Sequence, residues 1–401
     1  MRVGVIEIMN TGHIVLAETL CRIFCVDPQN RVFLFTNEKH ANNIKFLCDR
    51  YPNLTLTVKS SGQDEEMFLR EVGAVSLDRV YIVTLIRFFR EISHWQINSR
   101  LYLIVHNLDE WFGISICEGI KKYLYTIFKN PNLKTLIYFF KVHFIYPGFK
   151  KRILEKVQKT NGCLVVLSES IRKEVQRLNI KIPVDVIPFS VFDPSLLNDE
   201  PNPQNTLRIC VPGILSQYRR DYLGLLDLME EQLGGIKNKF IIDFLGGSQS
   251  ENPLDDSKLI MARIKQLRDK GFSIISHPVQ FIPPEEYDRE LSKADIILGN
   301  MNVVLNKFSA YGKTKETGLP FAMIKAAKPG ILPDNYPVPE EISSGTLLYK
   351  DYQDLGRILI SLINDRQLVM AMKKKAIANS EHFRPEVIYN QLVAEHNITG
   401  I

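Results

Sequence analysis

The chain has 401 residues, of which 45% are hydrophobic and 24% charged, and its formal net charge is +5. This length exceeds what one hydrophobic core usually organises, and the composition is globular, so we expect two folded domains and exclude long disordered regions. The six cysteines are scattered without a C-x-x-C pair, which excludes a zinc pattern and favours reduced thiols and a cytoplasmic location.

The first half of the chain alternates short apolar segments with amphipathic patterns. It opens with RVGVIEI, which we interpret as a strand rather than a signal peptide. Continuous Val, Ile and Leu indicate strands buried on both faces, as in a parallel sheet built from βαβ units. The predicted strands cover 2–8, 31–36, 54–58, 79–85, 101–106 and 163–168, and the predicted helices cover 13–25, 37–49, 64–74 and 169–178.

The loop MNTGH, residues 9–13, follows the first predicted strand and begins a helix. Gly12 would let the backbone approach a ligand closely, and His13 could contact a substrate hydroxyl. The loop lacks the G-x-G-x-x-G fingerprint of dinucleotide binding. The alternative is that His13 is a plain helix cap.

A second polar loop, HNLDEWFG, follows the predicted strand at 101–106. His106 and Asp109 are side chains of the kind that grip sugar hydroxyls, and Trp111 could stack on a sugar face. We therefore predict a role for His106 in catalysis, and acceptor binding by His13, Asp109 and Trp111. In the alternative interpretation, His106 holds the backbone and Asp109 caps the next helix.

The basic charge of the chain is concentrated in residues 121–159. This segment contains ten Lys and Arg residues, one acid and nine Phe and Tyr residues, so its net charge is +9 and the rest of the chain is slightly acidic. Basic and aromatic residues together predict contact with an anionic membrane surface. Phe and Ile are too dense here for a nucleic-acid groove, and no segment has the length of a spanning helix. The alternative is a packed helix pair with a basic outer face.

The second half repeats the alternating pattern after a Pro-, Asn- and Asp-rich stretch, which predicts a linker at 191–206. We predict a first domain at 1–190, a second domain at 207–384, and a C-terminal helix at 385–401 that packs back on the body. The predicted fold class is α/β, with two doubly wound Rossmann-like domains facing a cleft. The strands of the second domain are predicted at 207–213, 239–247, 272–276, 294–300, 330–333 and 345–350.

Three loops of the second predicted domain have the composition of an anion site. The loop VPGILSQYRRDY places Gly213 before Arg219 and Arg220, and arginine suits bidentate phosphate recognition. Gly246 and Gly247 end another strand. Together with the loop described next, this composition predicts a site for a diphosphate joined to a polyhydroxylated group.

The third loop begins the stretch YGKTKETGLPFAMIKAAKPGILP, residues 311–333. Lysines at the N-terminus of a predicted helix favour anion binding, because the helix end carries unpaired N–H groups and partial positive charge. The alternative is a solvated turn capped by Thr314 or Thr317. The predicted ligand-binding residues of this stretch are Lys313, Lys315, Glu316, Thr317 and Gly318.

On these residues, the sequence resembles GT-B glycosyltransferases and is similar to their retaining family 4-like group. The likeness covers the whole chain in architecture and is most specific over 207–333, where ETGLP and KPGILP correspond to the family's E-G-F-G-L-P, second Glu and G-K-P-V-I. The chain departs from this pattern at three places. Lys315 occupies the position of the first Glu, Met323 that of the second, and the lysine that commonly follows the loop arginine is missing.

The resemblance implies transfer of a sugar from a nucleotide-sugar donor to a glycan or lipid-linked acceptor, with retention of configuration. It implies that Arg219 or Arg220 contacts the diphosphate, Glu316 grips the donor sugar, and His106 lies near the reacting carbon. Lys313 or Lys315 would replace the missing lysine. The predicted catalytic residues are therefore His106, Glu316 and Arg220.

No D-x-D sequence stands in a suitable position for a metal ion, so we expect neither a metal nor a cofactor other than the nucleotide-sugar substrate. Polysaccharide or glycolipid biosynthesis, with peripheral attachment at the inner face of the membrane, is the expected setting. Two alternatives remain open: a nucleotide-sugar 2-epimerase of the same fold, or a catalytically silent subunit that binds nucleotide sugars.

Overall fold

The computed structural model describes residues 1–8, 13–85, 88–112, 137, 140–197, 206–247, 256–277, 282–306 and 309–399. The chain divides into two compact units. Unit 1 comprises Met1–Phe189 with Pro385–Ile401, and unit 2 comprises Ser190–Arg384.

Unit 1 is built on a parallel sheet of seven strands in the order β3-β2-β1-β4-β5-β6-β7. The apolar strands at its centre are buried on both faces, because helices cover parallel sheets on both sides. The predicted parallel sheet is confirmed, although several strands end earlier than the apolar pattern does. The strands are β1 Arg2–Glu7, β2 Arg31–Asn37, β3 Leu54–Lys59, β4 Arg79–Ile82, β5 Arg100–Ile104, β6 Cys163–Val166 and β7 Val184–Val186.

The helices of unit 1 follow the apolar periodicity of the sequence. The helix predicted at 37–49 is two shorter helices, and a π-helical turn at Lys141–Ile145 precedes α7. Cys21 and Cys25 lie on the buried face of α1, where burial raises the pKa of the Cys25 thiol to about 12. The helices are α1 Ile14–Cys25, α2 Glu38–Ile44, α3 Phe46–Arg50, α4 Glu65–Ala74, α5 Phe89–His94, α6 Leu108–Phe112, α7 Tyr146–Lys159 and α8 Glu169–Arg177.

Unit 2 contains a second parallel sheet, of six strands in the order β10-β9-β8-β11-β12-β13. Its core is a continuous cluster of buried aliphatic and aromatic side chains on both faces of the sheet. The strands are β8 Leu207–Cys210, β9 Phe240–Phe244, β10 Ile274–Ser276, β11 Ile296–Leu298, β12 Gly330–Pro333 and β13 Thr346–Tyr349.

The helices of unit 2 alternate with these strands. The last helix of this unit is followed by a short 3-10 turn, Glu381–Phe383. The helices of this unit are α9 Tyr222–Gln232, α10 Ser257–Asp269, α11 Pro284–Ser292, α12 Leu319–Ala326, α13 Glu340–Ser343, α14 Tyr352–Asn364 and α15 Arg366–Ser380.

The last helix, α16 Pro385–Thr399, packs back on unit 1 against α1. The Tyr389 hydroxyl donates a hydrogen bond to the Asp27 carboxylate at 2.8 Å and accepts one from the Asn30 amide at 3.2 Å. The prediction that the C-terminal helices pack on the body is therefore confirmed, and this helix belongs to the first unit.

The start of the predicted linker is packed into unit 2. Phe192 is only 1% exposed, and its N–H donates to the carbonyl of Phe383 at 3.0 Å. Asp193 N–H donates to the carbonyl of Lys325 at 3.0 Å. Residues 198–205, the middle and end of the predicted linker, lie outside the described residues.

A buried ion-pair network ties α11 to the sheet of unit 2. Arg208 donates to both Asp243 and Glu290, and Lys293 donates to Glu290 at 2.7 Å. Burial raises the pKa of Glu290, but the hydrogen bonds from Lys293 and Arg208 outweigh burial and lower this pKa to about 2. Glu290 therefore stabilises the fold as a carboxylate.

The lowered pKa of Glu290 predicts acid sensitivity. An unfolded Glu titrates near 4.3, so the contribution of Glu290 is complete above that pH and is lost as the pH falls towards about 2. Glu290→Gln should flatten the loss of stability between these pH values in urea titrations. Glu285→Gln, an exposed site on the same helix, is the control and should behave like the unchanged protein; equal acid sensitivity of both variants would contradict this assignment.

Candidate functional site

The strand order of each sheet locates its ligand-binding edge. In a doubly wound parallel sheet, ligands bind outside the carboxyl ends of the strands where the strand order reverses. In unit 1 this point lies between β1 and β4, and in unit 2 it lies between β8 and β11. The candidate residues of each unit are therefore those that follow these strands.

The edge of unit 1 brings two predicted residues together. The rings of His13 and His106 stack with their centroids 4.2 Å apart. His13 Nδ1 lies 2.9 Å from Thr84 Oγ1, and Thr84 donates to Glu7 Oε2 at 2.6 Å. The Glu7 side chain is fully buried. Glu7, Thr84 and His13 thus form a chain of hydrogen bonds that reaches the edge of the sheet from its interior.

These contacts determine which histidine nitrogens carry protons. With Glu7 as a carboxylate, Thr84 donates its single hydroxyl proton to Glu7, and His13 Nδ1 is then the donor to Thr84. The basic nitrogen of neutral His13 is then Nε2. His106 Nε2 lies 2.8 Å from the carbonyl oxygen of Val83, which can only accept, so the acceptor nitrogen of His106 is Nδ1. His106 thus holds the backbone, as its alternative interpretation proposes, while its ring also packs against His13.

The other predicted residues of unit 1 lie apart from this chain of hydrogen bonds. Asp109 lies in the first turn of α6 and accepts a hydrogen bond from Glu110 N–H at 3.0 Å. The Trp111 ring packs edge-on against Phe89, 5.6 Å away, with the Lys150 ammonium 5.9 Å from its centre. Predicted acceptor binding by Asp109 and Trp111 remains a prediction. Gly12 lies outside the described residues.

In unit 2, the loop after β8 and the loop after β11 interlock. Arg220 and Met301 form an antiparallel bridge, and Asn302 N–H donates to the carbonyl of Arg219 at 3.0 Å. Burial raises the pKa of the Tyr311 hydroxyl, while the charges of Arg219 and Arg220 oppose that shift. The two predicted anion loops are therefore neighbours, which their separation in sequence leaves open.

Arg220 is the arginine that the fold positions. Its side chain is 8% exposed, and its Nη1 atom is buried without a hydrogen-bond partner among the described residues. The guanidinium lies against the backbone of Gly213, where a Cβ would stand 2.3 Å from Arg220 Nη2. Gly213 also has a φ of +120°, which favours glycine. Arg219, by contrast, is exposed.

Gly246 has a structural reason to be glycine. A Cβ at this position would lie 1.7 Å from the Gly213 carbonyl oxygen, so the loops after β8 and β9 can approach only without a side chain here. The Gly213 N–H donates to the carbonyl of Leu245 at 2.9 Å and fixes that approach. Gly246 thus shapes the edge through packing, and ligand contact by Gly246 remains a prediction.

Helix α12, whose N-terminus is the predicted anion site, has Gly318 at its N-cap position. No side chain forms a capping hydrogen bond there. Neither Thr314 nor Thr317 caps this helix, although the Thr314 hydroxyl accepts a hydrogen bond from Ala310 N–H at 3.0 Å within the preceding turn. Glu316 accepts hydrogen bonds from the Tyr336 hydroxyl at 2.7 Å and from Thr317 N–H at 3.3 Å.

The remaining residues of this stretch differ in exposure. Lys313 is exposed, Lys315 is half-buried and Thr317 is buried. Met323, at the position of the family's second Glu, is 3% exposed and packs on Gly330.

Sequence reasoning missed Glu7 and Thr84 in unit 1. In unit 2 it missed Asn300, a buried residue that lines a pocket beside the Arg220 loop. Glu7 is the one acid in the apolar segment RVGVIEI, and a carboxylate in a strand buried on both faces needs a buried partner. That signal was present in the sequence. Thr84 and Asn300 had no comparable signal, because only the register of neighbouring strands brings them to these positions.

The described residues were compared with the requirements of a membrane-spanning helix and of a metal site. Their helices include none long and apolar enough to cross a membrane. In the same residues, no group of three or more His, Cys, Asp or Glu side chains could hold a metal ion.

Comparison with solved structures finds matches along the whole chain. HepE of Anabaena in complex with UDP and glucose matches with a TM-score of 0.63 at 14% identity, and all of both chains is covered. Sucrose-phosphate synthase of Thermosynechococcus elongatus has a TM-score of 0.60 at 13% identity, with 99% of this chain and 98% of that chain covered. A proposed UDP-N-acetylglucosamine 2-epimerase of Listeria monocytogenes has a TM-score of 0.54 at 11% identity, with coverage of 100% and 97%.

These similarities show that the chain has the GT-B fold, with two Rossmann-like domains, as the sequence predicts. No model of a protein family and no curated protein sequence matches the chain. The structural similarities are at low sequence identity, so they show the fold.

Proposed function

We propose that the protein is a glycosyltransferase that moves a sugar from a nucleotide-sugar donor to a glycan or lipid-linked acceptor. The observation that carries this proposal is the buried guanidinium of Arg220, which has an unpartnered Nη1 at the switch point of unit 2. A buried cation without a partner is costly, and a donor diphosphate would supply the anion. The fold similarity to HepE bound to UDP-glucose, which covers all of both chains at a TM-score of 0.59, supports this assignment.

In this proposal, the diphosphate binds between Arg220 and the N-terminus of α12, with Arg219, Lys313 and Lys315 around it. A leaving diphosphate gains negative charge as the sugar departs, and fixed cations and helix N–H groups stabilise that charge. Glu316, oriented by the Tyr336 hydroxyl, grips the donor sugar. The Nδ1 atom of His106 accepts a hydrogen bond from a hydroxyl of the donor sugar. The Nε2 atom of His13 accepts a hydrogen bond from the hydroxyl of the acceptor substrate. Transfer with retention and without a metal ion is part of the proposal.

The test is turnover of UDP-glucose, followed by release of UDP and by anomeric NMR of the product. We expect UDP release, and we expect Glu316→Gln to lower turnover far more than affinity for UDP, because UDP lacks the transferred glucosyl group that Glu316 would contact. Equal losses of turnover and UDP affinity in this variant would indicate a structural role for Glu316.

Two other functions remain as outcomes of the same experiment. The fold similarity to a proposed 2-epimerase favours epimerisation, which would change the sugar at C2 and transfer nothing to an acceptor. Burial of Met323 against Gly330 favours a silent binding subunit, which would bind UDP without releasing it from a donor. Product analysis distinguishes the three.

We also propose that the protein attaches peripherally to an anionic membrane on its cytoplasmic side, through the basic aromatic segment, in polysaccharide or glycolipid assembly. Four large apolar side chains there are between 47% and 59% exposed: Ile137, Phe140, Phe144 and Ile145. The Phe140 and Phe144 rings lie 5.6 Å apart and form one apolar surface. Residues 121–136, 138 and 139 of the segment lie outside the described residues.

Not every cation of this segment is available to a membrane. Lys150 lies over the Phe89 ring at 5.2 Å and donates to the carbonyl of Glu110. Lys156 donates to the carbonyl of Ile92 at 2.9 Å, near the end of α5. Lys150 is therefore half-buried and bound to unit 1, whereas Lys151 and Arg152 are exposed.

Vesicle binding should depend on both parts of this surface. Phe140→Ser with Phe144→Ser should remove the binding to phosphatidylserine vesicles that persists at high salt, because apolar burial is not screened. Lys151→Gln with Arg152→Gln should weaken the binding at low salt, since each cation contributes about 1 kcal/mol near an anionic surface. Leu178→Ser, at an exposed apolar side chain of unit 1, is the control. Failure of the unchanged protein to sediment with vesicles would rule out this attachment.

A further inference from the structure

Beside the loop that carries Arg220, unit 2 contains a pocket of about 670 Å³. Its lining residues follow the carboxyl ends of three neighbouring strands, with Asn300 after β11, Asp334 after β12 and Lys350 after β13. Tyr218, from the loop after β8, also lines it. The pocket therefore lies at the ligand-binding edge of the sheet, on the β12 and β13 side of the strand reversal.

Asn300 is the unusual residue of this pocket. It is 1% exposed, and both polar atoms of its side chain, Nδ2 and Oδ1, are buried without a hydrogen-bond partner in the described part of the chain. Its backbone is satisfied in part, because its carbonyl accepts from Asp221 N–H at 2.9 Å. Buried amides almost always have partners, so an unpartnered one beside a cavity points to a ligand that supplies them.

The walls of the pocket are held in place before any ligand binds. The Tyr349 hydroxyl donates to the Gly299 carbonyl at 3.0 Å, and the Tyr352 hydroxyl donates to the Asp221 carbonyl at 2.9 Å. Asn302 Nδ2 donates to the carbonyl of Tyr218 at 3.2 Å. These bonds join the segments that follow β8, β11 and β13, so the pocket is a preformed feature of the unit.

The charge of the lining selects the class of ligand. The lining contains three aspartates, Asp221, Asp334 and Asp351, and one lysine, Lys350. This excess of negative charge disfavours phosphates, in contrast to the cationic Arg220 loop. Asp221 and Asp351 each already accept a backbone N–H, from Gly224 and Asp354 respectively. Their carboxylates are thus fixed in orientation and retain further acceptor capacity.

We propose that this pocket binds an uncharged saccharide ring. A sugar hydroxyl both donates and accepts, so it can satisfy the Asn300 amide, and the aspartates accept further hydroxyl protons. The Tyr218 ring, 58% exposed, offers an apolar face on which a pyranose can stack. The site goes beyond the proposed donor site, and it would let unit 2 hold a glycan at a second point.

The first experiment measures sugar binding by saturation-transfer NMR, with D-glucose, D-galactose, D-mannose and N-acetyl-D-glucosamine as probes. The protein is saturated with the donor analogue UDP-2-fluoroglucose, which fills the sugar position of the proposed donor site, so that sugar binding there does not contribute. We expect a Kd on the order of millimolar for at least one probe, as is usual for a ligand of this size. No binding of any probe at concentrations on the order of 50 mM, or loss of binding on addition of the donor analogue, would overturn the proposal.

Substitutions of lining residues test whether the sugar binds in this pocket. Tyr218→Ala and Asp334→Ala change exposed side chains, and each should raise the Kd at least about fivefold, as loss of one contact does. Leu348→Ala, exposed on β13 and outside the lining, is the matched control and should bind normally. Asn300→Leu should abolish binding without lowering Tm, because it removes an amide that the free protein leaves unpaired. Unchanged sugar binding in Asn300→Leu and Tyr218→Ala would overturn the proposal.

Two controls distinguish this site from other uses of the same residues. Arg220→Ala should retain sugar binding even where it loses UDP, so failure of the donor-site proposal and failure of this one are separate results. Ca²⁺ and Mg²⁺ should not compete with the sugar. Competition that disappears in Asp334→Ala would show that the carboxylates serve a cation, and would overturn the proposal.

Discussion

Arg220→Ala should weaken UDP binding about 10- to 150-fold, which corresponds to the roughly 1.5–3 kcal/mol that a charge-assisted hydrogen bond contributes. The buried guanidinium is held against Gly213, and its Nη1 atom lacks a protein partner in the described residues, so we expect a ligand to supply one. The measurement is UDP affinity by calorimetry.

Two further variants and a check of folding show whether this loss is specific to Arg220. Arg219→Ala should have a smaller effect, because the Arg219 side chain is exposed and screened by solvent. Arg220→Lys should restore only part of the affinity, since it keeps the charge but loses the planar fork of donors. Normal folding of each variant is checked by circular dichroism. An Arg220→Ala protein that is folded and binds UDP as tightly as before would refute the diphosphate site.

His13→Ala should lower turnover roughly 10²- to 10⁴-fold, the usual contribution of a side chain that takes a reacting proton. The acceptor hydroxyl loses a proton whether configuration is retained or inverted, and the contacts of Thr84 and Glu7 make His13 Nε2 the basic nitrogen. UDP affinity should be unchanged, because this step involves the acceptor. Comparable losses of UDP affinity and turnover would contradict the role.

Thr84 offers a way to test the tautomer without removing the imidazole. Thr84→Val keeps the shape but removes the hydroxyl that accepts from His13 Nδ1 and donates to Glu7, so turnover should fall and its pH dependence should shift. Thr84→Ser keeps the hydroxyl and should retain both. If Thr84→Val keeps the turnover and pH profile of the unchanged protein, the hydrogen-bond chain has only a structural role.

The strand pattern made most of the fold predictable. Buried parallel strands read as continuous Val, Ile and Leu, and their alternation with amphipathic helices predicts βαβ units. Strand ends were less predictable, because apolar residues such as Val105 continue past the last strand residue and remain buried. The helix predicted at 37–49 divides because periodicity does not encode a break between two short helices.

The candidate site was predictable in its residue types but not in its contacts. His13, His106 and Arg220 could be identified because polar residues follow apolar strands at the edge where parallel sheets bind ligands. Arg219 and Arg220 could not be ranked, since only the packing of the loop against Gly213 and Met301 buries one and exposes the other. The contacts of Lys150 with Phe89 and Glu110 could not be predicted, because these residues are remote in sequence.

The sequence by itself determined the α/β class, the two Rossmann-like halves and the loops that form the candidate site, because these follow from local periodicity and from residue type. Only the tertiary structure decided that His13 stacks on His106, that Thr84 links it to Glu7, and that Asn300 lines a second pocket. Each of these contacts joins residues from different strands, and their distance depends on strand order and register. Those properties arise from packing across the whole sheet, so no local stretch of sequence encodes them.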